Sequence, residues 1–335
     1  MSTTQPVAVT GAGSWGTALA LLLARRRYPV RLWGHNPAHL ARLRQERENR
    51  RHLPGINFPP HITVPTTLAA TVADTQWVFV AVPSHAYAET LLQLHPLLAP
   101  HTGIAWATKG LEHGSGRFLH VVTANILGPD YPAVVISGPS FAGEVAKGLP
   151  TAVTVAASIP DHAQRVAGFL HGPDLRAYSS TDVVGVELGG AVKNVLAIAA
   201  GVSDGLGFGA NARAALITRG LAEMMRLGEA VGAQPVTLMG LAGVGDLILT
   251  CTDDQSRNRR FGLALGRGQS AAAAQADIGQ VVEGIATART IIQLARQHGV
   301  DMPITEQVER VLRQEQNPRQ AVEMLLARDP KPEVF

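Results

Sequence analysis

Apolar and polar positions follow two rhythms along this chain, and the change comes near residue 182. Before it, short apolar runs recur at 7–10, 30–33, 62–65, 77–82, 104–108, 134–137, 152–157 and 175–179. Gly, Pro or polar residues bound these runs, and longer segments at helical spacing separate several of them, as at 17–27 and 37–51. Repeated strand–helix units predict a doubly wound parallel sheet. After residue 182 the strand pattern stops. Spacing predicts helices over 183–202, 210–231, 259–265, 282–298, 304–314 and 317–328. The expected architecture is α/β plus all-α, with one domain over 1–181 and a helical one over 182–335.

The first strand runs into Gly11-Ala12-Gly13-Ser14-Trp15-Gly16 and then a helix. This is G-x-G-x-x-G in the strand–turn–helix setting that dinucleotide binding requires. Gly11 allows the tight turn, Gly13 lets backbone approach a pyrophosphate, and Gly16 lets the helix pack on the strand. The helix start offers free N–H groups and the positive dipole end to the phosphates. The second strand ends in Gly34-His35-Asn36, without the Asp or Glu that would bind a ribose 2′-hydroxyl in a strict NAD site. His35 is compatible with facing a 2′-phosphate or with a solvated turn. The first reading favours NADP(H), with NAD(H) tolerated.

Residues 187–202 read as a buried helix, small or apolar after Glu187 except at Lys193 and Asn194. Burial lowers a lysine pKa from about 10.4 toward about 7–8, where it exchanges protons at neutral pH. A snorkelling lysine at the edge of a core helix fits the same pattern. Residues 241–247 place Asp246 in an apolar, Gly-rich turn, where it can hold Lys193, bind a substrate hydroxyl or cap a helix. Ser256-Arg257-Asn258 bring a hydroxyl, a guanidinium and an amide to a helix start. They can clamp a phosphate or simply cap the helix beside exposed arginines. Lys109 lies at a strand's carboxyl end, the edge where ligands bind in such sheets.

Composition narrows the class. With 335 residues, 46% hydrophobic and 16% charged, the chain has ample apolar surface to bury in two domains. A net charge of +3 is too small for a nucleic-acid footprint. The single cysteine, Cys251, permits no internal disulfide and suits a packing role. The polar start, 1–6, shows no signal peptide. The apolar window 188–202 is short and carries Lys193, so no membrane insertion is expected.

Seven stretches carry a family resemblance. They are G-A-G-S-W-G-T-A-L-A (11–20), A-T-K-G-L-E (107–112), S-G-P-S-F-A-G-E-V-A-K-G-L-P-T-A-V (137–153), E-L-G-G-A-V-K-N-V-L-A-I-A-A-G (187–201), L-A-G-V-G-D-L-I-L-T-C-T (241–252), S-R-N-R-R-F-G (256–262) and V-E-G-I-A-T-A (282–288). In this order they closely resemble the bacterial-type NAD(P)-dependent glycerol-3-phosphate dehydrogenases. The resemblance implies a Rossmann-type NAD(P)-binding domain and a 6-phosphogluconate-dehydrogenase-like helical domain for substrate. It implies reduction of dihydroxyacetone phosphate to sn-glycerol 3-phosphate for phospholipid synthesis, in a cytoplasmic homodimer. Lys193 would be the proton donor and acceptor. Lys109, Gly138, Ser140, Asp246, Ser256, Arg257 and Asn258 would hold the substrate. Ser14, Trp15, His35, Lys109, Ala142, Arg257, Val281 and Glu283 would meet the cofactor. His35 stands where relatives often have Arg, which weakens 2′-phosphate recognition.

Two rivals share the plan. A β-hydroxyacid dehydrogenase resembles G-x-x-x-K-x-x-x-N around its lysine; here Gly189 and Lys193 fit, but Ala197 replaces the Asn. A non-catalytic NADP sensor would need the glycines but not Lys193, Asp246 and Arg257 together.

Overall fold

The computed structural model describes residues 5–329, so the polar start at 1–4 and the end of the second domain at 330–335 lie outside the described residues. The chain forms two compact units. One comprises 1–108 and 119–183; the other comprises 109–118 and 184–335.

The first unit opens with β1 (Val7–Thr10), α1 (Ser14–Arg25), β2 (Val30–Trp33) and α2 (Pro37–Glu46). A hairpin of β3 (Glu48–Asn49) and β4 (Leu53–Asn57) follows, then β5 (Ile62–Thr63), α3 (Leu68–Val72) and β6 (Trp77–Val80). The rest is α4 (Tyr87–Leu94), β7 (Gly103–Trp106), α5 (Leu119–Leu127), β8 (Ala133–Ser137), α6 (Ala142–Lys147), β9 (Thr151–Ala156), α7 (Pro160–Leu170) and β10 (Leu175–Ser180).

Eight strands form one sheet in the order β10-β9-β8-β7-β6-β1-β2-β5. The chain moves outward from β1 to β5 and then returns to the other side of β1 with β6. The switch point therefore lies between the ends of β1 and β6, the place where such sheets bind ligands. The sheet is not wholly parallel, because β8 and β9 pair antiparallel. The intervening α6 has six residues and spans only about 9 Å. That is too little to carry the chain back along the sheet, so β9 runs the opposite way to β8.

The helix expected over 37–51 also ends early. Only His39, Leu40 and Leu43 of α2 are buried, and the next apolar residue is Leu53. With nothing further to bury, the helix stops at Glu46. Arg47 takes a left-handed conformation, φ 53°, and donates to the carbonyls of Ile62 and Pro59. The hairpin then folds back and carries Asn49 into full burial.

The second unit is helical. It contains α8 (Val183–Gly205), α9 (Ala210–Val231), α10 (Pro235–Leu238), α11 (Asp246–Thr252), α12 (Arg257–Gly266), α13 (Ala271–Ile278), α14 (Glu283–Gln297), α15 (Pro303–Leu312) and α16 (Pro318–Leu326). Leu111 from the 109–118 segment joins the core of this unit, and Phe118 packs against it. Helix α8 is its axis. At 23 residues it is longer than the 188–202 window and apolar enough to cross a membrane, but 94% of its most apolar window is buried inside the protein. Gly189 allows one close approach: a Cβ there would sit 2.3 Å from the Ala242 carbonyl oxygen. Residues 241–245 form a π-helical turn that runs straight into α11. Asp246 thus begins a helix and does not lie in an open turn.

Arg259 locks α12 to α11. It is 8% exposed, donates to the Cys251 carbonyl at 3.1 Å and pairs with Asp204 at 2.5 Å. Asp204 also binds Arg213 at 2.9 Å. Arg259 also pairs with Asp254, so removing the Asp204 carboxylate leaves the buried guanidinium with only a solvent-exposed acidic partner. Asp204→Ala should lower stability by about 2–3 kcal/mol, read as a shift in the urea unfolding midpoint. An unshifted midpoint would remove this ion pair from the forces that hold α12 on α8.

Candidate functional site

In the first unit, the Gly-rich turn has the geometry that a pyrophosphate needs. Gly11 has φ +105°, and a Cβ there would fall 2.4 Å from the Ala81 carbonyl oxygen. At Gly16 it would fall 1.9 Å from the Gly11 oxygen. At Gly13 a Cβ would meet nothing within 4 Å, so backbone is open to a ligand on that side. Gly13 is the N-cap of α1 and brings no side chain to its first-turn N–H groups. Steric closure on two sides and an open third, in front of a helix start, fit a dinucleotide phosphate bridge.

The residues around that turn are tied together. Ser14 Oγ donates to the His52 carbonyl at 2.7 Å. Trp15 Nε1 donates to the Ser140 carbonyl at 3.0 Å, and Ser140 Oγ donates to the Gly138 carbonyl at 3.0 Å. Trp15 and Ala142 both pack on the core of this unit. Gly138 has φ +135°, which a side chain would strain. His35 is exposed just beyond β2.

In the second unit one buried carboxylate organises three side chains. Asp246 is 1% exposed. Its Oδ1 accepts from Lys193 Nζ at 2.6 Å and its Oδ2 accepts from Lys109 Nζ at 2.6 Å. Lys193 also donates to Thr250 Oγ1 at 2.9 Å, and Thr250 donates to the Asp246 carbonyl at 2.6 Å. The two lysines sit on opposite oxygens of one carboxylate, one brought by α8 and the other by the 109–118 segment. Asp246 therefore holds Lys193, one of the roles that its sequence left open.

The electrostatics follow from burial and this bridge. Burial pushes the Lys193 ammonium down to about 8, the charge of Lys109 adds to that, and Asp246 opposes both. Burial alone would raise the Asp246 carboxyl, but the two ammonium groups outweigh it and hold it below the usual carboxylate range. Asp246 therefore stays ionised while Lys193 exchanges protons near neutral pH. Neighbouring Cys251 behaves differently. Burial pushes its thiol up to about 12, so it is a packing residue without nucleophilic character.

Ser256 is the N-cap of α12 and accepts from Arg259 N–H at 3.2 Å. Asn258 is buried, donates to Asn194 Oδ1 at 2.9 Å and accepts from Gly284 N–H at 2.9 Å. Arg257 is half-buried, and its Nη1 lies 3.4 Å from Gln280 Oε1. Burial lowers its guanidinium, opposed by the charge of Glu283. Glu283 opens α14, and Val281 is exposed just before it. The second unit thus contains Lys109, Lys193, Asp246, Ser256, Arg257, Asn258, Val281 and Glu283. The first contains Gly11, Gly13, Ser14, Trp15, Gly16, His35, Gly138, Ser140 and Ala142.

Two participants escaped the sequence reading. Thr250 had a usable signal, since it lies four residues after Asp246 and shares its helix face. Asn194 was visible as a polar residue in an apolar helix, but nothing in the sequence announced Asn258 as its partner.

Similarity to known proteins agrees with these units. Residues 6–163 match the family model for the NAD-dependent glycerol-3-phosphate dehydrogenase N-terminus, and residues 182–323 match that for its C-terminus. A glycerol-3-phosphate dehydrogenase [NAD(P)+] of Stenotrophomonas maltophilia is 57% identical over 334 residues, 99% of this chain and 98% of the relative. One from Thioalkalivibrio sulfidiphilus is 59% identical over 328 residues, covering 98% of each chain. The crystal structure of glycerol-3-phosphate dehydrogenase from Coxiella burnetii superposes with a TM-score of 0.94 at 49% identity, covering 97% of this chain and 100% of that one. A two-part match over nearly the whole length, on a Rossmann sheet followed by a helical unit, makes this chain a member of the NAD(P)-dependent glycerol-3-phosphate dehydrogenase family.

Proposed function

We propose that the protein reduces dihydroxyacetone phosphate to sn-glycerol 3-phosphate, reversibly, with NADPH or NADH, and so supplies glycerophospholipid synthesis. The observation that carries this is the buried Asp246 carboxylate shared by Lys193 and Lys109, in a chain of this family. The bound nicotinamide supplies the hydride that reduces the C2 ketone. Everything else falls to the protein.

Negative charge develops on the C2 oxygen as the carbonyl is reduced. Lys193 stabilises that charge and delivers the proton, leaving a neutral amine that solvent reprotonates. Two ammonium groups against one carboxylate leave a net positive charge before the step. After it, Lys109 still balances Asp246, so proton loss from Lys193 does not strand a buried anion. In the reverse direction the neutral amine removes the hydroxyl proton.

The phosphate is remote from the reacting carbon, so its binding energy serves positioning. We assign it to the start of α12, to the Arg257 guanidinium and the first-turn N–H groups of Arg257 and Asn258. Ser256 and Asn258 use their side chains to fix that start. Lys109, Gly138, Ser140 and Asp246 complete the substrate set. Ser14, Trp15, His35, Lys109, Ala142, Arg257, Val281 and Glu283 join Gly11, Gly13 and Gly16 for the cofactor. A cytoplasmic homodimer is the form we assign to the working enzyme.

The direct test is loss of reduced-nicotinamide absorbance when dihydroxyacetone phosphate is added. Oxidation with the phosphorylated ketone, and little with free dihydroxyacetone, is the expected result. No oxidation with NADPH or NADH, from folded protein that binds cofactor, would reject the reaction. Lys193→Ala should lower kcat about 1,000-fold while the NADPH Kd stays unchanged. A matching loss of cofactor affinity would show that the lysine serves binding instead. Arg257→Ala should raise the KM for dihydroxyacetone phosphate about tenfold with a smaller change in kcat. An unaltered KM would take Arg257 out of the phosphate site.

A further inference from the structure

The first unit holds a second group of cations that the site described above leaves unused. Helix α2 and the β3–β4 hairpin flank an open pocket of about 450 Å³ whose polar lining is His39, Arg42, Glu46, Glu48, Arg50 and Arg51. Its acids are engaged. Glu48 accepts from Gly55 N–H at 2.7 Å and from Arg50 at 3.1 Å, and Arg50 also lies 3.8 Å from Glu46. Arg42 and Arg51 are exposed and have no ion-pair partner among the described residues. The pocket is therefore left with unmatched positive charge, which suits an anion.

His39 fixes where this pocket lies. It is 8% exposed, and its Nε2 is 3.3 Å from the Ala12 carbonyl, in the middle of the Gly-rich turn. Asn49 from the hairpin donates to the same carbonyl at 3.0 Å and to Thr17 Oγ1 at 2.7 Å. The pocket wall is thus bonded to the turn that receives the dinucleotide. His39 Nδ1 is buried without a hydrogen-bond partner. Burial holds this imidazole below its ordinary range, and the charges of Arg42, Arg51 and His35 add to that against the bond to Ala12. His35 thus acts electrostatically on the same histidine as the two arginines.

In folds of this kind the adenosine ribose sits at the end of the second strand, and an Arg near that point accommodates a 2′-phosphate. No carboxylate stands at residues 34–36 to repel one. We infer that Arg42 and Arg51, together with His35 beyond β2, seat the 2′-phosphate that distinguishes NADP(H) from NAD(H), and that His39 ties this seat to the dinucleotide turn. The arginines offer the planar paired donors that a phosphate monoester accepts. They do the work that an Arg at position 35 would otherwise do. This rests on the reading of the protein as a nicotinamide-dependent enzyme and adds the residues that choose between the two cofactors.

Titration calorimetry on the full chain tests it without turnover. Arg42→Ala and Arg51→Ala should each raise the NADP+ Kd about tenfold, and the double variant more, with the NAD+ Kd unchanged throughout. Adenosine 2′,5′-bisphosphate should lose affinity in the same variants, while adenosine 5′-monophosphate should not. An unchanged NADP+ Kd in the double variant would overturn the inference. So would a parallel rise for NAD+, which would mark the arginines as supports of the fold. Failure of the reaction itself is read separately, from the absence of nicotinamide oxidation with dihydroxyacetone phosphate.

Discussion

The second unit depends on keeping one carboxylate ionised out of contact with bulk water. Asp246 is 1% exposed, and a lone buried carboxylate would protonate. Two lysines prevent that, one on each oxygen at 2.6 Å. The carboxylate in turn offsets the cost of burying the Lys193 ammonium, which also donates to Thr250. The arrangement leaves Lys193 as the group that changes protonation near neutral pH, since burial and Lys109 both push its pKa down. A proton donor poised in this way is what reduction of a ketone asks of a protein.

Much of the surrounding structure serves to bring those groups together. Gly189 lets α8 approach the π-helical turn at Ala242, four residues before Lys193 on the one side and four before Asp246 on the other. Arg259 ties the end of α11 to α12, whose N-terminal residues are the proposed phosphate seat. In the first unit the hairpin at 48–57 plays the equivalent part for the Gly-rich turn. Asn49 and His39 reach the Ala12 carbonyl, and the His52 carbonyl takes the Ser14 hydroxyl.

The sequence was most legible where a single steric or periodic rule governs. Gly11, Gly13 and Gly16 announced their turn because each glycine answers a different packing demand, and the structure shows all three. Helix α9 runs over the same residues that its spacing predicts, and the left-handed glycine at 232 closes it. Legibility failed where partners come from afar. The charged run 37–51 reads as one helix, yet its last third turns into a hairpin because it has no apolar face to bury. The antiparallel step from β8 to β9 depends on the shortness of α6, which spacing alone does not reveal. Residues 109–118 looked like a strand end and loop of the first unit, but they belong with the second and deliver Lys109 to Asp246. Asp246 itself could be read three ways until the atom that it holds was known.

The measurement that bears most directly on the central claim is the pH dependence of turnover in both directions. Protonated Lys193 is needed for reduction and neutral Lys193 for oxidation, and burial sets its pKa at about 8. Reduction of dihydroxyacetone phosphate should therefore slow as pH rises through about 8, while oxidation of sn-glycerol 3-phosphate speeds up across the same interval. Profiles that are flat there, or that bend the same way in both directions, would contradict the assignment of the proton to Lys193.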